Sequence, residues 1–403
     1  YDKLFKGKKA FTVNGLMKMH LMAGKVYAEF PIELLNRDLA LTSSIEDISD
    51  NGEGVVGQFA GRVNQFRFTL QDSMLQARLV RRYGVKNTGM GKNADQIIER
   101  SNTPGIFQSY KILAYTPDKK AVVVDMTELF LESSRLTNPF PSYAGNSLYG
   151  FVQRIHKFQS QRSELLGICG NDNSMSVRCN LGFNVDRLVL GSFMQAKDVP
   201  VSVTVNKILM LLPEDPMRPR LADSRIGVNA IIQTELPDVC QGIKTYYITK
   251  RWRIEPVDEI RYKQGEMVDV KKPIVFYIDT LMPDSWIKYV KAGAEAWNAA
   301  FEKIGLRNVV RTELFPKDSS FDAGDIHNSV IRYAPSWMYY PQYSMHTDPR
   351  TGEILNASVY LPANVASYFY TSRTEETMAV DPSVRKARLS EEQFGEMFKA
   401  KMM

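Results

Sequence analysis

Short alternations of apolar and polar residues dominate the first 270 or so residues, and they predict strands rather than helices. Two pairs of such runs flank turn-forming residues and predict β-hairpins: 58–70 with 74–81 across the turn QDS, and 109–115 with 121–126 across the turn at 117–120. Further strands are predicted at 25–30, 40–45, 183–190, 199–212 and 245–254, with a helical turn at 31–35 and a short helix at 127–134. The N-terminal part is therefore expected to be β-rich.

A polar stretch rich in Ser, Asn and Gly interrupts these strands between 138 and 182. Such composition is typical of loops. It predicts an internal boundary or a long surface insertion.

The pattern changes at Pro273. The run PIVFYID is continuously apolar, which is typical of a strand buried on both faces. A long helix is predicted at 284–304, with Pro283 and Asp284 at its start, Gly305 at its end and an apolar stripe along one face. The stripe comprises Trp286, Val290, Gly293, Trp297, Ala300, Phe301 and Ile304. Strands predicted at 309–314, 329–333 and 354–360 complete a mostly parallel sheet with a right-handed crossover.

A chain of 403 residues is too long for one ordinary core, so two or three domains are expected. The distribution of predicted strands and helices favours a short leading module at 1–50, a β-rich domain at 51–270 and an α/β part at 271–403. This is an α+β multidomain architecture. Apolar content of 44% and charged content of 24% are typical of soluble globular proteins. The net charge of +6 is spread thinly and no nucleic-acid motif accompanies the basic clusters, so nucleic acid is not expected as a partner. No apolar run is long enough for a transmembrane helix.

The three cysteines form no metal-binding pattern. Cys169 and Cys179 flank a turn-prone segment, so the sequence allows either a disulfide between them or two buried free thiols. Cys240 invites comparison with a cysteine that blocks a protease zinc, a weak signal from one residue.

Catalytic signatures are absent from the sequence. The four histidines, His20, His156, His327 and His346, are too far apart along the chain to make a local metal pair, and there is no H-E-x-x-H, G-x-S-x-G or P-loop. Each histidine is expected to be a surface or hydrogen-bonded residue. The residues alone indicate a multidomain protein with an α/β C-terminal part and name no activity.

Six segments, however, occur in an order that resembles a known family. They are PMRPRLADSRIG (216–227), KRWRIEP (250–256), KPIVFYID (272–279), EAWNAAFEKIG (295–305), SVIRYAPS (329–336) and DPRTGEIL (348–355). Together they resemble the bacterial, chiefly Bacteroidetes-type, zinc-dependent metalloproteases, in which N-terminal domains of uncharacterised function precede a metzincin-like catalytic domain. The start of the chain resembles the short leading module of that family. The resemblance implies that 271–403 is the N-terminal part of a zincin-like domain.

In that family, a helix carrying H-E-x-x-H-x-x-G-x-x-H follows a segment like the one at 381–403. Its histidines bind zinc, and its glutamate acts as the general base on the zinc-bound water. This chain contains no such motif, so the resemblance implies zinc ligands and catalytic residues after Met403 and none within the chain. Ser390 and Gln393 make a capping-box start, and an apolar stripe of Phe394, Met397, Phe398 and Met402 runs to the end, which is the pattern of a cut helix.

The resemblance also implies where a substrate would bind. The DPRTG segment at 348–352 reads as a turn between two strands, and the strand before it would be the antiparallel edge of the sheet that lines the cleft. On that basis Tyr343, Ser344, Met345 and His346 are the candidate substrate contacts. A mobile loop at 339–344 is the alternative.

The first hypothesis is therefore a secreted, periplasmic or outer-membrane-associated zinc metalloendopeptidase that acts on peptides or proteins, with a lipid anchor possible. By itself the chain is expected to be inactive. The second hypothesis is a non-catalytic binding or accessory protein of the cell envelope, built on a pseudopeptidase scaffold. A coding sequence that continues past Met403 into H-E-x-x-H would favour the first.

Overall fold

A computed structural model describes residues 1–59, 63–80, 85–88, 96, 98–133, 136, 138–140, 152–189, 193–237, 243–317, 321–336, 341–382 and 390–402. The chain divides into two compact units. Unit 1 comprises Tyr1–Gly54, Phe59–Arg251 and Thr347–Glu353. Unit 2 comprises Val55–Gln58, Trp252–His346 and Ile354–Met403.

Unit 1 is built almost entirely from strands. They are β1 Phe11–Val13, β2 Lys18–Met22, β3 Lys25–Pro31, β4 Leu39–Ile48, β5 Asn64–Gln71, β6 Met74–Leu79, β7 Val85–Thr88, β8 Gly105–Lys111, β9 Ala114–Tyr115, β10 Ala121–Asp125, β11 Val152–Asn171, β12 Ser174–Val189, β13 Phe193–Leu211, β14 Ala230–Pro237 and β15 Lys244–Thr249. Short helices, among them α1 Asp2–Phe5 and α2 Thr127–Leu131, and a 3₁₀ turn at Ile32–Leu34 accompany them.

These strands form three sheets, with the orders β1-β2-β3-β10-β9, β11-β12-β13-β4-β5-β6-β8 and β15-β14-β7. The five-stranded and seven-stranded sheets share one apolar core, in which the rings of Phe30 and Phe68 lie 4.7 Å apart. The first predicted hairpin is confirmed, since β5 pairs antiparallel with β6. The second is confirmed only next to its turn: β9, Ala114–Tyr115, pairs with β10, whereas 109–111 belongs to β8, which pairs with β6. The helical turn and the short helix are confirmed as well, the helix ending at Leu131.

The polar stretch at 138–182 is where the prediction was wrong. Its described part from 152 onwards lies in β11 and β12, two long antiparallel strands, and not in a boundary or loop. Side chains of β11 alternate between half-buried and exposed, because β11 ends the order of its sheet. A strand with polar residues at alternate positions can therefore have the same composition as a loop.

The neighbouring strand, β13, carries a buried charged residue. Lys207 on β13 has no exposed surface, and its Nζ donates a hydrogen bond to the carbonyl oxygen of Glu132 at 2.5 Å. Burial lowers the pKa of Lys207 to about 8, because the charged ammonium loses its hydration. Nothing in the alternating strand pattern distinguishes this lysine from an exposed one.

The two described cysteines are not joined. Cys169 on β11 is exposed and pairs in register with Ser176, whereas Cys179 on β12 is buried opposite Leu165. The Cys179 thiol donates to the carbonyl oxygen of Phe130 at 3.2 Å, and burial raises its pKa to about 11. A Cys169–Cys179 disulfide is therefore excluded, while Cys240 lies outside the described residues.

Unit 2 is a mixed α/β arrangement. Its strands are β16 Val268–Asp269, β17 Ile274–Ile278, β18 Leu306–Arg307, β19 Val310–Leu314, β20 Ser329–Ala334, β21 Gln342–Thr347 and β22 Ile354–Pro362. Its helices are α3 Glu259–Lys263, α4 Asp284–Glu295, α5 Asn298–Glu302, α6 Val365–Thr377 and α7 Glu391–Met402. The main sheet has the order β19-β17-β20-β22-β21, with β17 parallel to β19 and β20, and β20 parallel to β22. The predicted parallel sheet is confirmed.

The predicted helix at 284–304 is two helices, α4 and α5, and its stripe is only partly core. Val290 is buried, but Trp297 at the break is 51% exposed and Ile304 56% exposed. Polar side chains at the break bind β19: Asn298 makes two hydrogen bonds with the backbone of Val310, and Glu295 accepts two from Thr312. These bonds, and not the apolar spacing, orient the chain at the break.

The architecture is therefore β-rich α+β, with a parallel-sheet unit after the strands, as the sequence predicts. Among the described residues, no helix is long and apolar enough to cross a membrane.

Candidate functional site

The candidate binding strand is β21, the last strand in the order of the main sheet of unit 2. Only the six residues 348–353 connect β21 to its neighbour β22. So short a connection joins antiparallel strands, since a parallel pair needs a crossover of a dozen or more residues. The strand thus occupies the edge position that the resemblance implies, and 342–344 belong to a strand and not to a loop.

The four predicted contact residues all lie on β21 but differ in accessibility. Tyr343 is 58% exposed, whereas Ser344 and Met345 are half-buried. His346 is fully buried, and burial lowers its pKa to about 3, so its imidazole is neutral at physiological pH. Tyr343 is therefore the side chain of this set that a ligand can reach directly, and the contact role of all four residues stays a prediction.

A buried tyrosine supports β21 from the neighbouring strand. The hydroxyl groups of Ser344 and Tyr360 are hydrogen-bonded, and Tyr360 packs with Val55 and Ala334 in a small apolar cluster. The pairing fixes Ser344 through a group that is itself immobilised by packing. No sequence pattern points to this role of Tyr360, because its partner Ser344 lies 16 positions away and the residues that surround Tyr360 are apolar.

A short segment from the start of the chain belongs to this unit too. Gly57 has a φ of +86°, and a Cβ there would overlap the side chain of Arg332 on β20. The Gly57 carbonyl oxygen accepts a hydrogen bond from the Ser358 hydroxyl at 3.5 Å. The 55–58 segment therefore packs behind β20 and β22, a non-local contact that no local pattern could predict.

The DPRTG segment is confirmed as a turn. Its Asp348 side chain is fully buried and accepts hydrogen bonds from the backbone and guanidinium of Arg350. Within unit 1, Arg350 also reaches Asp38 at 3.3 Å and the Pro213 carbonyl oxygen at 2.8 Å. Burial opposes the charge on Arg350, but the carboxylates of Asp348 and Asp38 outweigh it and raise the Arg350 pKa. The bonds of Arg350 to Asp348, Asp38 and Pro213 therefore hold this turn in place.

The described residues do not fit a zinc ion. His20 contacts Thr12 and Glu29, His156 contacts Glu53, His327 contacts Asp325, and His346 is buried. Across the part of the chain that the structure describes, no three His, Cys, Asp or Glu side chains come together as a metal site. No step that uses zinc can be built on these residues.

Unit 1 contains a cavity of about 810 Å³, lined by residues that include Tyr1, Leu16, Lys18, Glu29, Ile32 and Lys120. The Glu29 carboxylate accepts hydrogen bonds from the Tyr1 hydroxyl at 2.5 Å and contacts His20 at 3.0 Å and Lys18 at 3.4 Å. Burial, and then the Glu29 carboxylate, raise the Tyr1 pKa to about 12. This network holds α1 on the five-stranded sheet. The Glu29 carboxylate already binds donors from the chain itself.

The comparisons with known proteins cover one part of the chain. No curated protein and no solved structure matches it. A family model described as "Domain of unknown function (DUF5117)" matches residues 57–257. This range includes β5 to β15, most of the strands of unit 1. The chain therefore carries a DUF5117 domain at residues 57–257.

Proposed function

We propose that this chain is the substrate-binding part of a zinc-dependent metallopeptidase, with β21 as the strand against which the peptide lies. The observation that carries the proposal is the position of β21: it ends the order of a largely parallel sheet and presents an exposed tyrosine. The six family-like segments support it, since three of them contain β17, α5 and β20 of this unit. The activity itself is inferred from resemblance.

The binding mode follows from strand geometry. A strand at the end of a sheet can accept a further extended chain through main-chain hydrogen bonds, and the side chains at alternate positions then supply selectivity. Along β21 the alternation places Tyr343 and Met345 on one face and Ser344 and His346 on the other. Because His346 is buried and the Ser344 hydroxyl is bonded to Tyr360, ligand side chains would meet Tyr343 first.

The zinc and its ligands would come from the helix that the family resemblance implies, not from the described residues. When bound there, zinc would supply the activated water that attacks the peptide carbonyl. The contribution of this chain would be to hold the substrate extended. The proposed setting is secreted, periplasmic or outer-membrane-associated, with a peptide or protein as the substrate.

We expect the 403-residue chain to bind no stoichiometric zinc and to cleave no peptide. Metal analysis after exchange into zinc-containing buffer, together with a quenched-fluorescent peptide assay, measures both. A chelator-treated sample is the control for adventitious metal. One equivalent of zinc with chelator-sensitive cleavage would show that these residues contain a complete catalytic site. It would contradict the proposal that this chain binds the substrate but not the zinc.

Replacing Tyr343 by Ala should weaken the binding of an extended polypeptide roughly tenfold, as expected for the loss of a well-placed aromatic contact of about 1.4 kcal/mol. β-Casein is a suitable probe because it lacks stable structure. Binding is measured by fluorescence anisotropy, and amide hydrogen exchange locates the protection, which is expected at 342–347.

The matched control is Tyr115→Ala, which removes a comparably exposed tyrosine (48%) from β9 in unit 1. It should leave casein binding unchanged. Equal losses in both variants, or protection outside β21, would contradict the assignment of this strand. Absence of binding by the wild-type chain would do the same.

A further inference from the structure

The polar face of the five-stranded sheet in unit 1 carries a threonine, a histidine and a glutamate on three neighbouring strands. Thr12 on β1 and His20 on β2 are direct cross-strand partners, so their side chains lie on the same face. Glu29 on β3 pairs with Lys18, two positions from His20, and so shares this face. Met19, between Lys18 and His20, belongs to the apolar core on the opposite face. The strand pairing therefore brings the three polar side chains together.

Hydrogen bonds link the three side chains. The Thr12 hydroxyl lies 2.8 Å from Nδ1 of His20, and Nε2 of His20 lies 3.0 Å from a carboxylate oxygen of Glu29. Burial alone would raise the pKa of Glu29, but hydrogen bonds from Tyr1 and His20 help to outweigh it and lower the pKa. The ionised carboxylate accepts the proton of Nε2. Nδ1 is then the acceptor of the Thr12 hydroxyl proton, which is the arrangement of a nucleophile with its general base.

The histidine is shielded from water, whereas the threonine is not. His20 and Glu29 are each only 6% exposed, and the ring of Phe5 on α1 lies 4.5 Å from the imidazole, centroid to centroid. Thr12 lies on the first strand in the order of its sheet and is exposed. A substrate can therefore reach the threonine hydroxyl, while the low dielectric around the imidazole strengthens its hydrogen bond to the carboxylate.

The cavity of unit 1 shares Glu29 with this group of side chains. Its wall also contains Lys18 and Asn14, the residue directly after β1. Strand residues two positions apart are about 7 Å from each other, so Asn14 and Lys18 lie near a group bound to Thr12. Both side chains are hydrogen-bond donors, and Leu16 adds an apolar part to the wall. A cavity of about 810 Å³ is large enough for a small organic molecule.

We propose that Thr12, His20 and Glu29 form a nucleophilic site that hydrolyses small carboxylic esters. The Thr12 hydroxyl oxygen attacks the ester carbonyl carbon while Nδ1 of His20 takes the hydroxyl proton. Lys18 and Asn14 donate to the carbonyl oxygen as it becomes negative. The bond to the alcohol oxygen then breaks, and this oxygen receives the proton from His20. Water, deprotonated by the same imidazole, attacks the acyl group, releases the acid and restores the Thr12 hydroxyl.

An ester fits this site better than a peptide. The secondary hydroxyl of a threonine is a hindered nucleophile, and an alcohol leaves more readily than an amine. The inference goes beyond the proposed peptidase function and does not depend on it. The two activities are distinguishable, because the peptidase activity requires zinc whereas ester hydrolysis at Thr12 does not.

Hydrolysis of p-nitrophenyl butyrate in the presence of a chelator, together with labelling by a fluorophosphonate, tests the proposal. The wild-type chain should hydrolyse the ester with saturation kinetics, and peptide mass spectrometry should locate the label on Thr12. Thr12→Val keeps the shape of the side chain but removes its hydroxyl group. It should lower kcat about 100-fold and abolish the label, whereas Thr12→Ser should retain both. Glu29→Gln should lower kcat more than it changes KM, because the carboxylate orients the imidazole and does not touch the reacting atoms.

The matched control is Thr103→Val, which makes the same change at another exposed threonine of unit 1 and should have no effect. The Thr103 hydroxyl donates to the Glu99 carbonyl oxygen and has no histidine as its acceptor. Circular dichroism confirms that each variant is folded. Absence of saturable hydrolysis by the wild-type chain, equal losses in Thr12→Val and Thr103→Val, or a label on another residue would each overturn the proposal. Hydrolysis that the chelator abolishes would do so as well, because it would assign the activity to a metal centre.

Discussion

Replacing Glu53 by Gln is expected to destabilise unit 1 by about 3 kcal/mol, because it removes the carboxylate that contacts the mostly buried Arg154 and His156 and leaves Arg187 paired with Asp50 alone. The Glu53 side chain is fully buried. One carboxylate oxygen accepts from Arg154 at 3.2 Å and from Arg187 at 2.9 Å, and the other contacts His156 at 2.8 Å. Gln keeps the shape but supplies no negative charge, and its amide nitrogen would face a donor.

The same contacts give the effect a pH dependence. Burial alone would raise the pKa of Glu53, but hydrogen bonds from His156 and Arg187 and the charge of Arg154 outweigh it and hold the pKa below its ordinary value. A carboxyl group whose pKa is lower in the folded state stabilises the fold above its unfolded pKa, and this contribution is lost as the pH falls through the folded pKa. The difference between wild type and Glu53→Gln should therefore be full at neutral pH and shrink once the pH falls below about 4.

Urea unfolding monitored by circular dichroism, at several pH values, measures both the size and the pH dependence of the change. The control is Glu259→Gln, which removes an exposed carboxylate paired with Lys263 four residues away and should change the stability only slightly. A loss for Glu53→Gln no larger than that of the control would show that the cluster contributes little, and a pH-independent loss would assign the effect to packing instead of charge.

Local patterns predicted those parts of the fold that local interactions determine. The hairpin β5–β6 has alternating strands and a turn within a few residues, and the apolar run of β17 identifies a parallel strand, although its three central residues are half-buried. The break between α4 and α5 was not predictable, because it depends on hydrogen bonds from Asn298 and Glu295 to a strand that comes later in the chain. The Glu53 cluster joins residues more than 100 positions apart, beyond the reach of any periodicity.

The candidate site, like the fold, was predictable from the sequence only in part. The position of β21 followed from family resemblance, and the four residues on it carry no chemical signature of their own. Neither the buried state of His346 nor the bond between Ser344 and Tyr360 could be read from the sequence, because both result from packing across the sheet.

Replacing Gly352 by Ala is expected to destabilise the protein by about 3 kcal/mol, well beyond the usual cost of a non-glycine residue at positive φ. Gly352 has a φ of +77°, and a Cβ at this position would overlap the carbonyl oxygen of Thr249. The Gly352 carbonyl oxygen also accepts a hydrogen bond from the Arg251 amide at 2.9 Å, so the turn cannot move away without losing that bond.

The Gly24→Ala variant separates the cost of a positive φ from the cost of the overlap with Thr249. Gly24 has a nearly equal φ of +71°, but no atom lies within 4 Å of the position of its Cβ. Its variant should lose only the backbone term of about 1 kcal/mol. Thermal unfolding of the two variants side by side gives the comparison. If both lose the same stability, Thr249 does not confine the turn; a much larger loss at Gly352 shows that close packing against β15, and not the turn conformation alone, requires glycine in the DPRTG segment.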